Sequence, residues 1–123
     1  MTRWYRLNEH EQPIAVSRTE LLDANGEYFK WPEPNKRVAE TTLETGEWVS
    51  TVFLGLDHSF FGDGQDPILW ETMVFANKDD LNEIYQRRYN NAADARRGHI
   101  MICERLADPF RRKELLNVNT RSK

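Results

Sequence analysis

The sequence predicts an α+β fold: a small antiparallel sheet of about four strands, packed by one main C-terminal helix, with a short helix near the N-terminus. Three observations predict it. The runs "WVSTVFLGLD" (48–57) and "ILWETMVF" (68–75) are β-branched, aromatic and of strand length, and a Gly/Asp/Pro-rich loop separates them. Between Asn91 and Leu106, Ala92, Ala95, His99, Ile102, Cys103 and Leu106 recur at spacings of three and four, so one helical face is apolar. The chain has 123 residues, the size of one domain. The expected division is a single domain over 1–108 and a basic, flexible tail over 109–123, in which Leu115 and Leu116 leave room for a short docked turn.

"TRWYRLN" mixes aromatic and polar residues and reads as a short strand that stops before Pro13. "SRTELLDANG" carries helix signals: Ser17 and Glu20 form a capping box, and Asn25-Gly26 supplies a left-handed stop. In "YFKWPEPNKR", Pro32 and Pro34 each lack an amide donor, so this segment is an extended edge or a loop. "RVAETTLETG" reads as a strand turning at Thr45-Gly46-Glu47. "WVSTVFLGLD" is apolar on both faces and is expected to lie centrally, with Gly55 marking a bulge or a close backbone approach. "ILWETMVF" is its antiparallel partner. "NKDDLNEIYQRRYNN" fits either a helix or a turn leading into an outer strand at "IYQRRY". The main helix is capped by Asn90 or Asn91 and ends at Pro109.

The 17 basic and 20 acidic residues give a net charge of −3, which argues against a nucleic-acid footprint over the whole surface. The charge is uneven. Residues 109–123 hold five basic residues against Glu114 alone, a balance of +4, and so leave −7 for the remainder. Nucleic-acid contact, if any, is expected only through that tail. Cys103 is the only cysteine, which excludes an internal disulfide and a Cys-rich zinc site and fits a reducing compartment. No segment has the length and apolarity of a membrane span, and the composition implies no cofactor.

Ionisable groups interrupt the two apolar runs. Asp57 and His58 stand where the central strand gives way to the loop, a position that suits a general base, a metal ligand or a turn cap. Glu71 is mid-strand between Trp70 and Thr72. A carboxylate there requires a partner, and Arg87 or Arg88 is the expected one. Thr72 is expected to face away from Glu71. His99 lies on the apolar helix face, where a hydrogen-bonded core role competes with ligation, and Gly98 beside it implies close packing. Were Asp57, His58, Glu71 and His99 to converge, they would offer two imidazoles and two carboxylates to a transition metal. Phe60 and Phe61, apolar for a loop, are candidate interface anchors together with Phe29 and Trp31.

The segments "VSTVFLGLDHSF", "ILWETMVF", "RRY" and "ARRGH", in that order, resemble a family of small accessory proteins of bacteriophages and prophages. The resemblance covers roughly 37–106. The loop here carries Phe60, Phe61 and Gln65 where that family has more Gly and Pro. Its recurring polar positions correspond to Asp57, His58, Glu71, Thr72, Arg88, Tyr89, Gly98 and His99. The resemblance implies a setting, the bacterial host cytoplasm, and by analogy a protein that binds and modulates a host factor or defence component without catalysis. The expected partner is a host or phage protein or a nucleotide-like ligand, and a homo-oligomer is compatible with an exposed sheet edge. Two other readings stand beside this one: a small metal-assisted hydrolase built on Asp57, His58, Glu71 and His99, and a structural or virion-associated protein.

Overall fold

The computed structural model describes residues 4–17, 19, 36–58 and 67–122. All but residues 17 and 19 of the N-terminal helix expected over 17–26, the proline edge at 32–34, and Phe29, Trp31, Phe60 and Phe61 lie outside the described residues. Within them the fold is α+β. Strands β1 (Tyr5–Leu7) and β2 (Pro13–Ala15) form a hairpin, and β3 (Arg37–Thr42), β4 (Trp48–Phe53), β5 (Trp70–Asn77) and β6 (Asp80–Tyr89) form an antiparallel meander in sequence order. Helices α1 (Ala92–Ala107) and α2 (Pro109–Ser122) follow.

The register fixes which side chains meet. Phe53 pairs with Trp70 and Trp70 with Tyr89; Thr51 pairs with Thr72; Val49 pairs with Val74. Side chains alternate along a strand, so these positions share one face. That face is covered by α1, which touches all four strands of the meander. Its core is divided. One cluster gathers Tyr5, Phe53, Leu69, Trp70, Tyr89 and Ala95, and another gathers Val49, Val74, Ile102, Leu106 and Leu115. Between them runs a polar row, Thr51 and Thr72, both fully buried, with His99 of α1 above it.

The expected central strand is β4, flanked by β3 and β5. The ambiguous segment after residue 77 resolves as a turn and an outer strand, with Asn77 Oδ1 accepting from the Asp79 amide at 2.9 Å. Gly55 is a site of close approach rather than a bulge. It sits at φ +80°, and its carbonyl accepts from the Tyr5 amide at 2.7 Å, which fastens the β1–β2 hairpin to the end of β4. The sequence reading took only β1 as a strand. The return strand β2 exists because the Asn8 side chain accepts from the amides of His10 and Gln12 and closes the turn.

Residues Pro109–Ser122, expected as a basic, flexible tail, are helical. Asp108 ends α1 and caps α2. Its Oδ1 accepts from the Phe110 amide at 3.0 Å, and Pro109 occupies the first helical position, where a missing amide costs nothing. Leu115 enters the second core cluster at 5% exposure, and Arg112 pairs with Glu47 at the β3–β4 turn, so the domain extends beyond residue 108.

Candidate functional site

Each polar residue singled out in the sequence has an assignable partner among the described residues; the aromatic candidates Phe60 and Phe61 lie outside them. Asp57 is buried, and its Oδ1 accepts from the Ile68 amide at 2.9 Å. With the His58 amide donating to the Ile68 carbonyl, this closes the base of the loop from both sides. The role is a turn cap. His58 Nδ1 lies 2.6 Å from the Leu56 carbonyl oxygen. A carbonyl only accepts, so Nδ1 carries the proton and Nε2 is the basic nitrogen of the neutral ring.

Glu71 and His99 are on opposite faces of the sheet. Glu71 pairs in register with Arg88, whose Nε donates to Oε2 at 2.8 Å. Glu71 is nearly buried while Arg88 is 40% exposed, so the guanidinium reaches from the surface to neutralise an acid inside. Thr72, on the other face, meets Thr51 at 2.5 Å and accepts from the Tyr89 hydroxyl at 3.1 Å. His99 extends that chain: Nδ1 is 2.7 Å from Thr51 Oγ1 and Nε2 is 2.9 Å from Thr41 Oγ1. Both neighbours are hydroxyls, able to donate or accept, so a neutral imidazole is satisfied at both nitrogens. Burial holds the His99 pKa below its ordinary value, because the charged ring would be desolvated.

The set Asp57, His58, Glu71 and His99 therefore does not assemble. Asp57 and His58 hold the loop base, Glu71 serves the far face of the sheet, and His99 serves the polar row. Among the described residues no group of three or more His, Cys, Asp or Glu side chains is placed to hold a metal ion. The half-buried Cys103 has its thiol pKa pushed up by burial, which disfavours the reactive thiolate.

A different constellation forms between the end of β6 and the outer side of α1. A groove of about 610 Å³ opens there, with Arg87, Arg88 and Tyr89 on one wall. From α1, Asp94, Arg97, Gly98 and Met101 form the other, at the spacings that place side chains on one helical face. The guanidiniums on its α1 side are those of Arg87 and Arg97, against the Asp94 carboxylate, on a chain whose net charge is −3; Arg88 borders the groove but turns its guanidinium to Glu71 on the far face of the sheet. Arg97 is anchored by Asp94. Asp94 is held below the usual carboxylate range first by the Asn91 hydrogen bond, then by Arg97, with a weaker contribution from Arg87. Arg87 lies over the Tyr89 ring, 5.5 Å from its centroid.

The floor of the groove is rigid for a steric reason. A Cβ at position 98 would stand 2.2 Å from the Tyr89 hydroxyl, so only glycine lets the ring lie against the helix backbone. Tyr89 is then fixed by Thr72 below it, and burial pushes its phenol pKa up. Of these residues, the sequence reading singled out Arg88, Tyr89 and Gly98. It treated Arg87 only as a partner for Glu71 and passed over Arg97. The available signal was the pair of arginine doublets in "RRY" and "ARRG", which mean little until β6 and α1 are seen side by side.

No family model matches this chain, and neither a curated protein nor a solved structure matches it. Among the described residues, no helix is long and apolar enough to cross a membrane.

Proposed function

We propose that this chain is a non-enzymatic accessory protein of the bacteriophage kind, which binds an anionic component of its bacterial host through the groove between β6 and α1. The observation that carries this reading is the groove itself: arginines from two elements share one cavity on an acidic chain. Such a contrast concentrates anions locally and speeds their encounter. The other polar groups point the same way. Asp57, Glu71, Thr72 and His99 are engaged in internal hydrogen bonds that hold the loop, the sheet and the helix together. The hydrolase reading needed four of these side chains around one ion, and their placement on different faces leaves it without a site.

Modulation of a host factor or defence component, in the host cytoplasm, follows from the phage resemblance and is part of the same proposal. Affinity capture from bacterial lysate tests it, comparing the parent chain with an Arg87→Gln/Arg97→Gln variant and identifying both proteins and small molecules released. The expected result is a species retained by the parent and lost from the variant. Identical captures by the two would sink the proposal. Recovery of the chain as a stoichiometric component of purified virions would favour the structural alternative.

A further inference from the structure

We infer that the groove between β6 and α1 is a site for a phosphate-bearing ligand of about nucleotide size. The inference deepens the reading above and rests on it for the location of the site. Three features select this ligand class.

The first is size. A cavity of about 610 Å³ lies within the range of roughly 300–1,000 Å³ typical of small-molecule sites. Its walls are one helical face and the last residues of one strand, which bounds the ligand along the chain direction. Ile68 and Met101 add apolar lining suited to the organic part of a phosphate ester.

The second is the type and disposition of the cations. Both, Arg87 and Arg97, are arginines. A guanidinium offers five donors in a planar fork, and a carboxylate engages at most two of them. Arg97 is thus positioned by Asp94 and still has N–H groups to offer. Arg87 is exposed, is ordered by its contact with Tyr89, and makes no ion pair among the described residues. A tetrahedral phosphate accepts from several guanidiniums at once, whereas a side-chain carboxylate saturates one fork.

The third is preorganisation. The Tyr89 ring against Gly98, tied below to Thr72, gives the site a floor that does not have to be built on binding. Ligand binding to such a site loses less free energy to ordering.

The test is calorimetric titration of the full chain at low salt with inorganic phosphate, AMP, ATP, adenosine and an oligoglutamate peptide. AMP and ATP are expected to bind, inorganic phosphate to compete with them, and adenosine to give no heat. Binding should weaken as salt rises. Arg87→Gln should weaken AMP at least about tenfold with an unchanged melting temperature, because Arg87 holds no structural ion pair. Arg87→Lys should recover only part of the loss, since an ammonium lacks the fork. Arg111→Gln, on α2 and away from the groove, should change nothing. If neither AMP nor ATP binds, or if both bind undiminished to Arg87→Gln, the phosphate inference is overturned. Binding of oligoglutamate alone, abolished by Arg87→Gln, would overturn it while leaving the broader groove-binding proposal standing. Absence of all binding together with unaltered lysate capture by the variant would remove both.

Discussion

Thr51 and His99 meet 2.7 Å apart, hydroxyl to imidazole, at the centre of the helix–sheet interface. With Thr72 and Thr41 they form a polar row where an antiparallel sheet under a helix would ordinarily be apolar. The row explains how an ionisable side chain survives on the inner face of α1: the ring is hydrogen-bonded at both nitrogens, and burial keeps it neutral.

Acidification should therefore destabilise the fold through His99. Its folded pKa is lowered by burial, so between that value and the unfolded value of about 6.5 the unfolded chain binds more protons. The contribution is fully present above the unfolded value and is lost as pH falls below it. Urea midpoints measured from pH 8 down to pH 5 should fall for the parent chain. A His99→Asn variant should be less stable throughout but flatter across that window. Parallel profiles for the two proteins would rule out His99 as the source.

Gly98→Ala should be destabilising despite alanine's advantage of about 1 kcal/mol inside a helix. The added methyl would occupy space held by the Tyr89 hydroxyl and ring, and overpacking of this kind costs typically about 1–3 kcal/mol. Chemical denaturation measures it directly. A stabilised variant would mean that Tyr89 can move aside at little cost.

Glu71 and Arg88 should respond unequally to alanine. Removing Glu71 leaves an arginine that is already 40% exposed and can take up water. Removing Arg88 leaves a nearly buried carboxylate without its partner. Stranding a buried charge costs about 3–5 kcal/mol, so Arg88→Ala should approach that range and Glu71→Ala should fall well short of it. Equal losses in denaturant melts would contradict the asymmetry.

Leu115→Ala should cost about 2–5 kcal/mol, the usual range for a leucine in a packed cluster. Arg112→Ala should also destabilise, because Glu47 is 3% exposed on its side chain and loses its ion pair. Deletion of residues 109–123 should then lower the unfolding midpoint substantially. A truncated chain as stable as the parent would show that α2 contributes nothing to the core.

The sheet and α1 were legible because their signals are local and redundant. Strand length, β-branching and helical spacing agree for β4, β5 and α1, and the need of a buried Glu71 for a cation led to an arginine doublet that includes its actual partner. Helix α2 was missed because Asp108-Pro109 carries two meanings: it ends one helix and starts the next, and the weakly amphipathic sequence after it did not reveal the second. The threonine row was invisible because threonine is also an ordinary strand former. Nothing in the sequence distinguishes Thr51 as a buried hydrogen-bonding partner until Thr72 is set beside it. The arginine groove is purely tertiary, created when β6 and α1 lie against one another.

The polar row also decides where α1 can rest along the sheet. The apolar clusters on either side of it are aromatic-rich on one side and aliphatic on the other, but hydrophobic attraction is non-directional and sets the helix position only loosely against a displacement of one turn, about 5.4 Å along its axis. Such a slip would drive the His99 imidazole against Phe53 and Trp70 or against Val49 and Val74, and would set an aliphatic side chain over two hydroxyls. Each stranded polar group would cost about 1–3 kcal/mol. The row thus works as a key that accepts a single docking position. In a library randomised across this interface, the two clusters should accept many aliphatic and aromatic combinations, whereas positions 51, 72 and 99 should change only together.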